Sequence, residues 1–274
     1  MHRSGNRPPG GLASFGDMAT LLERSNIVLR CIEVAIACLV FVWVFGFLGG
    51  LSFSAKVTDE ETGANDTFGI FNWHPILMTL AFVGCMGEAI LTYSSPIVPI
   101  SDRKTKKYVH ASLNSAACVF TVLGIVAAIQ SHTLKKPMPM SNFYSTHSYL
   151  GVLTCVMMIC QIVLGFMAYL FPQWSLSERQ AFSPLHKFFG GATFVVGMMT
   201  VMVGLQEKTT FLQLVQHPSV RAGIMQIPAI LQVLMAVFTV LVMFSVVCGF
   251  MPSGNNFIPL KTHGVENEMS INSE

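Results

Sequence analysis

WHPILMTLAF (residues 73–82), VHASLNSAAC (109–118), THSYLGVLTC (146–155) and LHKFFGGATF (185–194) decide the fold of this chain. Each sets one histidine (His74, His110, His147, His186) at the head of a long apolar run, and the intervals between them are 36, 37 and 39 residues. A helix needs about 20 apolar residues to cross a bilayer, so each interval holds one crossing and one turn. Consecutive crossings alternate in direction. His74 and His147 therefore fall near one membrane face and His110 and His186 near the other, as two pairs in two leaflets.

Outward from these runs the pattern extends to six membrane helices, at about 27–51, 73–93, 109–130, 144–170, 184–205 and 224–250. They form one all-α membrane domain over 27–251, flanked by polar tails at 1–26 and 252–274. The second to fifth helices are expected to make a four-helix bundle. Composition agrees: 52% of residues are hydrophobic and 11% charged, against about 25% charged in a soluble domain. The net charge of +2, with no basic helix, gives no reason to expect nucleic acid. The seven cysteines lie inside apolar runs and read as small buried hydrophobes. No CxxCH is present, which excludes a covalently attached c-type haem. The N-terminal tail lacks the apolar core of a signal peptide, so the first span is expected to serve as its own insertion signal.

Lysine and arginine placement orients the chain. With the N-terminus inside, eleven of the sixteen lie in cytoplasmic segments, including Arg103, Lys104, Lys106 and Lys107 of the loop DRKTKKY. Both termini are then cytoplasmic. The polar loop 52–72, with the glycosylation sequon Asn65-Asp66-Thr67, falls on the other side. His110 and His186 face the cytoplasm; His74 and His147 face away from it.

A single histidine near a helix end can simply snorkel to the interface or bond across helices. Four at near-equal spacing on consecutive helices ask for more. Positions +4, +11 and +18 share a helical face; from His186 these are Gly190, Gly197 and Gly204, and from His147 they include Gly151 and Gly165. From His110 the face reads Asn114, Ala117, Thr121, Gly124 and Ala128. Glycine costs about 1 kcal/mol of helix propensity relative to alanine, so such stripes need a return. Close helix packing is one; a groove for a flat, rigid ligand beside each histidine is the other. Histidine and glycine in register on two helices favour a porphyrin. Two axial histidines fill both open positions of a haem iron, which then carries electrons.

The motifs FNWHPILM (71–78), GEAILTY (87–93), KKYVHASLN (106–114), SH (131–132), NFYSTHSYLG (142–151), SPLHKFFGG (183–191) and GLQEKTTF (204–211) resemble the cytochrome b561 family, the ascorbate-reducible transmembrane cytochromes. The resemblance implies two non-covalent haem b groups, held by His74 with His147 and by His110 with His186. It implies an oxidoreductase that takes electrons from cytoplasmic ascorbate and delivers them to monodehydroascorbate or ferric chelates on the opposite side. It points to Arg103 and Lys107 as contacts for ascorbate, and to His132 and Phe143 for the outer acceptor, which Lys135 and Lys136 would attract. The chain departs from the family at Ser94, where many relatives carry an arginine after the tyrosine of GEAILTY.

Asn65 is the glycosylation candidate, and Glu88 is expected to pair with the basic loop. A plasma membrane, endosomal, lysosomal or vacuolar setting fits equally, as does a homodimer in the lipid bilayer. Two rival readings are a histidine-based metal-ion transporter and a scaffold that has lost haem. Transporters place their sites near the midplane on broken helices, whereas these histidines stand at the ends of unbroken runs; a scaffold has no need of all four.

Overall fold

The computed structural model of the 274-residue chain describes residues 15–97 and 100–249. The tail expected at 252–274, and residues 1–14 of the tail expected at 1–26, lie outside them. In order come α1 (Phe15–Val42), continued by a π-helical turn at Trp43–Phe47, a hairpin of β1 (Lys56–Val57) and β2 (Asn65–Asp66), and the short α2 (Phe68–Phe71). Then follow α3 (Trp73–Thr79), a π-helical stretch (Leu80–Met86), α4 (Gly87–Leu91), α5 (Arg103–Thr133), α6 (Thr146–Tyr169), α7 (Leu176–Gln216) and α8 (Gly223–Gly249). Among the described residues, six helices are long and apolar enough to cross a membrane, the second being the composite Phe68–Leu91.

The boundaries differ from the sequence expectation where local signals outweigh hydropathy. Residues 15–26, expected in a tail, are helical. The basic segment is not a loop. Asp102 caps α5, its carboxylate accepting from the backbone of Lys104 (3.1 Å) and Thr105 (2.7 Å), so Arg103 to Lys107 occupy the first helical turns. The fifth helix starts at Leu176 instead of 184 because Ser175 and Glu178 form a capping box. It runs 41 residues with Pro184 inside, about 60 Å at 1.5 Å per residue. The second helix, expected as one uniform run from 73, is interrupted by its π-helical stretch.

The first span packs on the sixth, the second on the third, and the fourth on the fifth. Ile36, Trp43, Phe194, Met198, Met235 and Phe238 form the sealed centre. Trp43 donates its indole N–H to the Ile224 carbonyl (3.0 Å), joining the first span to the sixth. Gly197 lets the Phe82 ring approach, since a Cβ there would stand 2.4 Å from it. Val152, Val156, Ile159, Val163 and Phe166 of α6 are exposed, an apolar surface that suits lipid. On the far side, Asn72 is fully buried and donates to the carbonyls of Leu48 (3.0 Å) and Gly50 (2.7 Å), pinning loop 52–72 at its root.

Candidate functional site

The four histidines meet in two pairs. His74 of α3 and His147 of α6 lie with ring centroids 5.8 Å apart and planes at 90°. His110 of α5 and His186 of α7 stand 6.3 Å apart at 70°. Three rings are anchored through Nδ1: His74 to the Gly124 carbonyl (2.9 Å), His147 to Thr200 (3.0 Å) and His110 to Ala89 (2.7 Å). A carbonyl only accepts, so Nδ1 carries the proton and Nε2 keeps its lone pair. His186 Nδ1 is buried with no hydrogen-bond partner among the described residues, its ring enclosed by Tyr169 (5.5 Å) and Phe182 (5.8 Å).

The glycine stripes have a reciprocal use. Gly204, on the helix of His186, faces His147, and Gly165, on the helix of His147, faces His186; a Cβ on Gly124, on the helix of His110, would crowd Met78 Cε (2.8 Å) and meet His74 Nδ1 only at an ordinary 3.7 Å. A Cβ on Gly204 would stand 2.6 Å from His147 Cε1, and one on Gly165 would stand 2.9 Å from His186 Cε1. Helices α6 and α7 each supply a ligand to one pair and a floor to the other. Gly190 and Gly151 do not share this role, since a Cβ there would meet its neighbours at ordinary distances of 3.8 and 3.9 Å. His110 and Gly124 are fourteen residues apart on α5, which separates the two pairs by roughly 21 Å along its axis.

Around the His74–His147 pair, His132 closes α5 with Nδ1 2.9 Å from Asn142 Oδ1. Its ring stacks on Phe71 (6.5 Å, 4°), and Phe71 in turn lies 5.7 Å from His74. Phe143 is 54% exposed, on a left-handed backbone with φ of 56° beside Asn142. Asn65 is not presented as a surface acceptor for a glycan. It is 6% exposed, and its Nδ2 donates to the Leu134 carbonyl (2.8 Å). Its Oδ1 accepts from Lys136 N (2.8 Å), and its backbone carbonyl receives Lys135 Nζ. Asn65 thus ties loop 52–72 to the end of α5.

At the His110–His186 pair, Tyr93 lies 5.5 Å from His110. Lys107 donates Nζ to the Tyr169 carbonyl (2.9 Å) at the C-terminal end of α6, where the helix dipole favours a cation. Arg103 is exposed. Glu88 pairs with Arg30 of α1, not with the basic segment. Arg30 also reaches Glu33 (3.0 Å) and the Ser95 carbonyl (2.8 Å), bracing the turn after α4. Burial raises the pKa of the Tyr93 hydroxyl in that turn.

Phe71, Asn142, Tyr169 and Lys208 went unassigned as individual site residues in the sequence reading. Phe71 stands one turn before His74 and Lys208 one turn after Gly204, so helical spacing from a ligand or its floor was the available signal. The anchoring carbonyls of Gly124, Ala89 and Thr200 carry no sequence signal at all.

Six apolar spans enclosing two histidine pairs, stacked along the bundle, define a polytopic membrane protein. Residues 73–212 match the family model for eukaryotic cytochrome b561, and the chain belongs to that family. It is similar to transmembrane ascorbate ferrireductase 2 of Arabidopsis thaliana, 33% identical over 190 residues, covering 69% of this chain and 76% of the relative. It is similar to ascorbate-specific transmembrane electron transporter 1 of Zea mays, 33% identical over 184 residues, 67% of this chain and 72% of the relative. A lysosomal membrane ascorbate-dependent ferrireductase of Homo sapiens is 34% identical over 176 residues, 64% of this chain and 67% of the relative.

The family implies haem b, and the site residues fit it. Among the described residues, no group of three or more His, Cys, Asp or Glu gathers into a metal site. His74 with His147 and His110 with His186 would each hold a haem, whose porphyrin would supply the rest of the iron's ligation and whose iron would supply one-electron chemistry. The Nδ1–carbonyl bonds are the outer-shell contacts that orient a ligating imidazole.

Proposed function

We propose that this chain carries electrons across its membrane from cytoplasmic ascorbate to monodehydroascorbate or a ferric chelate on the opposite side. The reading gives it two haem b groups, one held by His74 with His147 and one by His110 with His186. What carries it is the pair of histidine levels about 21 Å apart along α5, with three imidazoles fixed through Nδ1 so that Nε2 keeps its lone pair, the one on His110 lying 3.4 Å from the Asn114 amide. One level in each leaflet of a ~30 Å core divides a long transfer into two short ones. Bound haem supplies one-electron chemistry; the protein's own residues bind, orient and insulate.

At the cytoplasmic mouth, Arg103 and Lys107 attract the ascorbate anion. Lys107 is bonded to the carbonyl of Tyr169, whose ring touches His186, so an anion held there sits beside the inner pair. At the outer rim, Asn142 and Phe71 hold His132 next to His74. With Nδ1 committed to Asn142, Nε2 of His132 is free to meet the acceptor, while Phe143 offers it an aromatic face. This reading takes both termini as cytoplasmic, from the lysine and arginine bias, and 27–251 as the membrane domain. The name of the human relative supports a lysosomal membrane among the possible settings.

The test is a visible spectrum of the purified full chain before and after ascorbate, with the pigment extracted by acidified solvent. Two haem b per chain, reduced by ascorbate, is the expected result. A single haem, or none, overturns the reading.

A further inference from the structure

Among the described residues, Lys208 is the only buried charged side chain, 9% exposed. Its ammonium lies over three phenylalanine rings, Phe71 (4.2 Å), Phe68 (4.4 Å) and Phe211 (5.5 Å). Among the described residues no carboxylate comes within 4.0 Å of it. Asp66 acts on it only from a distance, and Asp66 Oδ1 already accepts from Phe68 N (2.8 Å). Aromatic faces compensate a buried ammonium in part, but buried charges are ordinarily met by a counter-charge. The position says where that charge would be. Lys208 is one turn outward from Gly204, the floor of His147. It touches the Phe71 ring that leans on His74 and His132.

We propose that Lys208 is the counter-ion for an organic anion, a carboxylate or enolate, seated at the outer rim of the His74–His147 pair. The anion has two sources: a propionate arm of haem bound by that pair, or the electron acceptor. The inference rests on the proposed haem reading. It goes beyond that reading by assigning the anion-holding group to a lysine buried under loop 52–72 and not to the exposed Lys135 or Lys136.

The experiment uses the full chain with its haem. Lys208→Met keeps the apolar stem that packs on the rings and removes the charge; Lys208→Arg keeps the charge. Two quantities are read: the rate of haem loss to apomyoglobin, and the half-saturating concentration of ferric citrate in reoxidation, with cationic hexaammineruthenium(III) as control. If the anion is a propionate, Lys208→Met speeds loss of one haem about tenfold, leaves ferric citrate saturation unchanged, and Lys208→Arg restores retention. If it is the acceptor, Lys208→Met raises the half-saturating ferric citrate about tenfold, spares the cationic control, and leaves haem retention unchanged. Should Lys208→Met not be recoverable, Lys208→Gln reads the same two quantities. A wild-type protein without two haems overturns the functional reading. A two-haem wild type whose Lys208 variants change neither quantity by more than twofold overturns this inference alone.

Discussion

Gly204→Ala separates a glycine that seats a histidine from one that merely lets helices touch. The new Cβ would stand 2.6 Å from His147 Cε1, 2.8 Å from Nδ1 and 3.2 Å from Nε2. Carbon atoms rest about 3.5–4.0 Å apart, so the ring must retreat by roughly 1 Å. The His147 Nδ1 bond to the Thr200 carbonyl is 3.0 Å long, and a displacement of that size takes it beyond hydrogen-bonding range. A buried polar group left unsatisfied costs about 1–3 kcal/mol, against about 1 kcal/mol gained in helix propensity. The balance is set by which ring moves. Gly190→Ala, whose Cβ would meet only Gln161 Oε1 at 3.8 Å, is the matched control and receives the propensity gain without the clash. The assay is haem content and a redox titration of both proteins, with thermal unfolding alongside. Gly204→Ala should lose or disturb the haem of the His74–His147 level and spare the other, while Gly190→Ala keeps both and melts slightly higher. A Gly204→Ala protein with two unchanged haems and raised stability would refute the seat and leave only helix packing.

Three further outcomes are expected. His74→Ala and His147→Ala should each remove the same haem, and His110→Ala and His186→Ala the other; loss of one common haem from His74→Ala and His110→Ala would contradict the pairing. Arg103→Gln should slow reduction by ascorbate at low salt and converge with wild type at high salt, because this exposed charge is screened within about 10 Å at 0.1 M. Lys107→Gln should keep part of its defect in salt, since its Nζ is bonded to the Tyr169 carbonyl; identical salt curves for both would remove that distinction. Asn65→Ala should leave electrophoretic mobility unchanged, as no glycan is lost. It should also speed proteolysis within 52–72, because the bonds to Leu134 and Lys136 are gone; a mobility shift to lower mass would restore the glycan reading.

The histidine pairing and the number of spans were legible in the sequence, because hydropathy and alternation of crossings depend only on the order of residues along the chain; the family was legible through the resemblance of its motifs. His74 with His147 and His110 with His186 follow from direction alone. The small residues at Gly165 and Gly204 were legible as a pattern, but not which ring each would face, since that depends on how neighbouring helices are staggered. The capping box at Ser175 and Glu178 and the Asp102 cap were present in the sequence too, as local signals that hydropathy windows pass over. Only the tertiary structure decided the rest. It took Asn65 from a sequon to a loop anchor, gave Glu88 to Arg30 on another helix, and enclosed Lys208 among Phe68, Phe71 and Phe211. It also supplied the carbonyls of Gly124, Ala89 and Thr200 that aim the histidines. Every residue carries a carbonyl, so the order of residues fixes which side chains can bind a metal, while only packing decides which backbone groups hold them in place.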